Sequence, residues 1–115
     1  APPPDPPEGR FPDAAAGGGA KPGLSDYHRR RLQRLGLENP EQDLATDLAG
    51  RPALIEAVPV LGGRMYFVAD EIHVLTGKWV LATFEDGHIR GHMLLEYNVN
   101  EGGDIHWRPL ISDVD

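Results

Sequence analysis

The chain contains no cysteine. That excludes disulfides, thiolate metal sites and cysteine nucleophiles. No run of about 18 apolar residues occurs, so no segment reads as a membrane-spanning helix. A nucleophile elbow, a phosphate-binding loop and a His-Glu-x-x-His signature are all absent. Positive charge is also scarce. Eleven Lys and Arg stand against 18 Asp and Glu, a net charge of −7. Residues 1–23 carry −1, residues 24–37 carry +3, and residues 38–115 carry −9. A phosphate backbone needs a basic surface, so the acidic body argues against nucleic acid as a partner.

Seven of the 11 prolines and five of the 14 glycines lie in residues 1–23, with Phe11 as the one aromatic residue. Such a stretch buries too little apolar surface to offset its ordering entropy. It is expected to be a disordered, partly polyproline tether. The remaining residues, 24–115, suffice for one α+β domain with a modest core. Because Ala1 is not a methionine, a segment removed upstream is expected. A signal peptide, or a lipoprotein trimmed past its acylated cysteine, fits the tether; so does a boundary inside a longer protein. The composition favours export to the periplasm or the outside, with a lipid anchor upstream of residue 1 as one arrangement.

Two helices are predicted. Ser25 can cap one running to about Leu35 and stopped by Gly36. Asn39-Pro40-Glu41-Gln42 starts another, with Asn as N-cap, Pro at the first position and Gln at the third. Leu44, Ala45 and Leu48 supply its apolar face, and Gly50 and Pro52 end it. Ala53–Ala57 reads as a third short helical turn or as the lead-in to a strand at Val58–Leu61.

Strands follow. Met65–Ala69 and Ile72–Leu75 are apolar runs, and Lys78 to Ile111 reads as three antiparallel strands joined by two tight hairpins. A two-residue turn at Asp86-Gly87 pairs Glu85 with His88, Phe84 with Ile89, Ala82 with Gly91 and Val80 with Met93. At the next turn, a three-residue loop, Glu101-Gly102-Gly103, pairs Val99 with Ile105, Tyr97 with Trp107 and Glu96 with Arg108. A two-residue loop would instead drive His106 and Arg108 onto the apolar face. Pro109 cannot donate to a ladder, so its strand is expected at an edge. Ile72, His73 and Val74 are set against Ala82, Leu81 and Val80. The layout of two or three helices before a meander of four to five strands resembles the cystatin-like and NTF2-like superfolds. That resemblance implies helices packed on one sheet face. Folds of this layout host binding modules, enzymes and assembly subunits alike.

Candidate sites follow from the register. One face carries Phe84, Ala82, Val80, Ile89, Met93, Leu95, Tyr97 and Val99; the other carries Trp79, Leu81, Thr83, Glu85, His88, Arg90, His92, Leu94, Glu96 and Asn98. On the second face, Glu71, Thr83 and Arg90 form a row, His73, Leu81 and His92 the next, then Leu75, Trp79, Leu94 and Leu110. An open patch holding Trp79 and Leu94 beside Arg90, His92 and Glu71 is a binding surface. The competing expectation is a helix over the apolar end, which makes Trp79 part of the core. His73, His88, His92 and His106 suggest a metal. Their spacing of roughly 10 Å or more on a sheet keeps them from one ion, so no metal or cofactor is expected. Glu71, Glu85, Arg90 and His92 are the residues available for acid–base chemistry. Ser112-Asp113 is expected to fray. The cluster Arg29, Arg30, Arg31 and Arg34 is suited to an acidic partner or an anionic headgroup, or else is a solvated helix face.

These residues point to a non-enzymatic binding or accessory domain that presents a sheet face to a protein or small ligand. One alternative is a small enzyme or ligand binder with a pocket between sheet and helices, using His92 and Glu71. Another is an immunity or inhibitor protein against a basic partner, to which the acidic body is matched.

Overall fold

The computed structural model describes residues 23–57 and 63–115. The expected tether through residue 22 and the expected strand at Val58–Leu61 lie outside the described residues.

Helix α1 spans Asp26–Arg34, with the Ser25 side chain accepting from the His28 N–H. It ends in a Schellman arrangement. Leu37 N–H donates to Leu32 O at 3.0 Å, Gly36 N–H donates to Gln33 O at 3.1 Å, and Gly36 takes φ +117°. The same turn buries Leu37. Helix α2 spans Pro40–Ala49, with Asn39 as N-cap and Pro40 at the first turn. The Asn39 N–H is satisfied by Asp43 Oδ2 at 3.2 Å, not by Gln42. A 3-10 turn at Pro52–Leu54 follows and buries Ile55.

The four strands are β1 (Tyr66–Val74), β2 (Trp79–Glu85), β3 (Arg90–Val99) and β4 (Ile105–Val114), antiparallel in the order β1-β2-β3-β4. The two apolar runs expected as separate strands are one strand, β1, with an irregularity between Phe67 and Ile72. Its later half pairs as expected, Ile72 with Ala82, His73 with Leu81 and Val74 with Val80. The β3–β4 register is also as expected, with Val99 opposite Ile105, Tyr97 opposite Trp107 and Glu96 opposite Arg108. Pro109 lies in β4, an edge strand of the described sheet.

The β2–β3 register is not. Glu85 pairs with Arg90, Phe84 with Gly91, Ala82 with Met93 and Val80 with Leu95. The turn therefore holds four residues, Asp86 to Ile89. Asp86 causes this: its Oδ1 accepts from the N–H of His88 at 2.7 Å and of Ile89 at 2.8 Å, a side-chain turn that replaces ladder bonds. The slip is two residues, an even number, so every side chain keeps its face.

Helices and sheet form two layers. Leu32, Leu44 and Leu48 pack with Val80, Ala82, Phe84, Met93 and Leu95, all at most 3% exposed. Tyr97 and Trp107 meet at 5.9 Å, and Trp107 Nε1 donates to Asp47 Oδ2 at 2.7 Å, which ties β4 to α2. The C-terminal residues do not fray: Ser112 pairs with Met93 and Asp113 with His92, because β3 is long enough to template β4 to Val114.

Candidate functional site

The helices cover the apolar face, and among the described residues no element packs over the other sheet face. Trp79 is 42% exposed and Ile111 64%. The expectation of a helix over Trp79 is thus overturned. Leu44 and Leu48 need a continuous apolar partner surface, and only the opposite face supplies one. The Trp79 face carries ion pairs that would lose hydration beneath a helix.

The two-residue slip redraws the rows on this face. Leu81, Leu94 and Ile111 are successive cross-strand neighbours on β2, β3 and β4. Trp79 is opposite Glu96, which is opposite Arg108. Thr83, His92 and Asp113 form the row on the other side of the leucines. So His92 is not beside Leu81, and Leu94 is not beside Trp79, as the expected register had them. An apolar band crosses three strands with Trp79 next to it, and charged rows flank it.

Those charged rows are paired. Arg90 reaches Glu71 Oε2 at 2.5 Å and Glu85 Oε1 at 3.1 Å, and Tyr66 OH donates to Glu85 Oε2 at 2.8 Å. Glu71 can reach across β2 because it sits in the irregular stretch of β1, where extra residues re-aim side chains. The hydrogen bond from Arg90, then that from Thr83, holds the Glu71 carboxyl below the usual carboxylate range. His92 Nδ1 lies 3.1 Å from Asp115 Oδ1. Arg108 Nε donates to Glu96 Oε1 at 2.9 Å, the cross-strand pair expected from the register.

Arg90 therefore spends its guanidinium on two carboxylates of its own chain. It orders the rim of the face. The acid–base set of Glu71, Glu85, Arg90 and His92 does not converge either: both glutamates bind Arg90, while His92 faces Asp115. Among the described residues, no group of three or more His, Asp or Glu is placed to hold a metal ion.

The basic helix divides. Arg29 makes a two-point ion pair with Glu41, at 2.5 and 2.7 Å, that clamps α1 to α2. That bond holds the Glu41 carboxyl below its ordinary value. Arg30, Arg31 and Arg34 are exposed. The helical turn explains the split, since residues 30, 31 and 34 fall on one side and 29 on another.

Two participants were not foreseen: Tyr66, which extends the Arg90 network, and Asp115, which meets His92. The hint for Tyr66 was its alternation with Phe67. Asp115 had none, because its position depends on β4 staying paired to its end.

No family model, curated protein or solved structure matches the chain. The likeness to the cystatin-like and NTF2-like superfolds stays one of layout.

Proposed function

We propose that this chain is a non-enzymatic binding or accessory domain whose open sheet face docks a protein partner. One observation carries the reading: among the described residues, exposed Trp79 and Ile111 lie beside half-buried Leu81 and Leu94, inside a border of ion pairs. An apolar centre within a polar rim is the anatomy of a docking surface, and an exposed tryptophan is a common anchor. Leu94 and Trp79 supply contact area in this reading. Arg90, Glu71 and His92 act as an ordered rim. The acidic body favours a partner with a basic surface, which includes the immunity-type variant of the same idea. Export of the domain belongs to the proposal and rests on the composition of residues 1–23.

Site-specific photocrosslinking tests it. A photoreactive residue at Trp79 or Leu94 should give one discrete adduct in cells that make the full chain. The same probe at exposed Gln33 on α1 should not, and excess wild-type chain should compete the adduct away. Identical adducts from all three positions, or none at 79 and 94, would refute the docking face.

A further inference from the structure

A second site lies at the other side of the fold, where α1, the β1–β2 loop and the end of β3 enclose a cleft of about 280 Å³. Tyr27, His28, Arg31 and Lys78 supply its polar side chains, and the β3 stretch Tyr97–Val99 forms its floor. The chain has 18 acidic residues, yet among the described residues no carboxylate lines this cleft. Arg31 and Lys78 are exposed and make no ion pair among the described residues. The carboxylate whose charge reaches Tyr97 in the cleft wall, Glu41, is already bound by Arg29.

The lining is also built to hold its shape. The His28 ring lies against Gly77 so closely that a Cβ there would come within 2.7 Å of the ring Cγ. Tyr27 packs edge-on to His28 at 5.2 Å. Tyr97 OH donates to Thr76 O at 2.9 Å, and Tyr97 N–H donates to Lys78 O at 2.8 Å, which ties the loop to β3. Ser25 Oγ lies 2.9 Å from His28 Nδ1. When Ser25 donates to Nδ1, the ring proton sits on Nε2, on the Gly77 side. Tyr27, Arg31 and Lys78 line the same space and carry donor groups.

We propose that this cleft is a phosphate site, taking the phosphate group of a small molecule or of a lipid headgroup. Arg31 from the helix and Lys78 from the loop flank it with two positive charges that have no ion-pair partner among the described residues. A tetrahedral dianion matches them better than a single carboxylate. Tyr27 adds a hydroxyl to the lining. Gly23 N–H donates to Leu75 O at 2.9 Å, which joins the chain before α1 to the end of the β1–β2 loop. This inference does not depend on the sheet face.

The test uses the full chain and amide NMR. Inorganic phosphate should shift His28, Gly77, Lys78 and Asn98 with saturation, and acetate and chloride at matched ionic strength should not. The double variant R31Q/K78Q replaces two exposed side chains and should keep the wild-type melting temperature. It should lose about tenfold or more in affinity for phosphate. Sedimentation with phosphatidylcholine vesicles, with and without phosphatidylserine, separates the sources. Serine-lipid binding that the double variant loses identifies a headgroup; phosphate binding without vesicle binding identifies a soluble phosphate compound. Shifts that persist in the double variant, or that chloride reproduces, overturn the proposal.

Discussion

At the residue scale, Gly91 and Asp86 explain the hairpin between them. A Cβ at Gly91 would run into the Asp113 carbonyl oxygen and lie 2.5 Å from Phe84 Cζ. The Phe84 ring covers the glycine across the strand, as aromatic residues do for glycines in sheets. Gly91→Val should therefore cost about 1–3 kcal/mol or more in a denaturant melt, through overpacking against Phe84 and not against Ala82. Arg90→Ala, exposed and next to it, should be nearly neutral. Equal effects would contradict the face assignment. The Asp86 side chain is enclosed and accepts two backbone N–H groups. Asp86→Ala strands those donors and should cost about 1–3 kcal/mol, while Asp86→Asn retains an acceptor and should cost less.

At the scale of elements, the three-residue loop between β3 and β4 is the part read most fully from sequence. The two faces left one register open, and Gly103 takes φ +83° as that loop requires. A Cβ at Gly103 would also lie 3.3 Å from Leu35 O, at the end of α1. Gly103→Ala should thus destabilise by about 1 kcal/mol and Gly102→Ala by less, measured by urea midpoints. The β2–β3 turn was misread for a physical reason. Asp-Gly suits a two-residue turn, but the Asp side chain can equally make the turn's hydrogen bonds itself. Parity alone does not separate registers two residues apart, because both satisfy the alternation. The continuity of β1 was hidden in the same way, since its irregular stretch interrupts the period from which strands are read.

At the scale of the whole molecule, paired carboxylates set the acid limit of stability. Hydrogen bonds from Arg29 hold Glu41 low. Burial raises Asp47, but the bonds from Arg51 and Trp107 outweigh it and leave that carboxyl low as well. With Glu71, these groups bind fewer protons folded than unfolded. Their stabilisation is complete above the unfolded carboxylate range, about 4, and is lost as pH falls through the lower folded values. Thermal melts should be flat down to about pH 5 and fall below about pH 4, and Asp47→Asn should shrink that fall. At the alkaline end, burial pushes Tyr97 up to about 12, with the Glu41 charge adding to it. The folded state keeps the phenol neutral, so stability present below the unfolded value of about 10 is lost as pH rises toward 12. Tyr97→Phe should flatten that alkaline slope. Zinc or nickel at stoichiometric amounts should leave the melting temperature unchanged; a rise of several degrees would reveal a histidine site.

Trp79 emission, read with Trp107→Phe in place, should be red-shifted and quenchable. Its exposure marks the division between what sequence and tertiary structure decide. Alternation along β2 and β3 determines by itself which residues share a face, since a strand's side chains have no other choice. Helix caps and the Gly103 loop are equally local, and residues 25, 36, 39 and 103 are where the chain says they are. Which face the helices cover is not local. It depends on the apolar area that Leu32, Leu44 and Leu48 can bury against each side, and on ion pairs that join Glu71 to Arg90 and Arg108 to Glu96. The cleft beside α1 belongs to the same class, because residues 28, 77 and 97 come together only when α1 packs beside the β1–β2 loop.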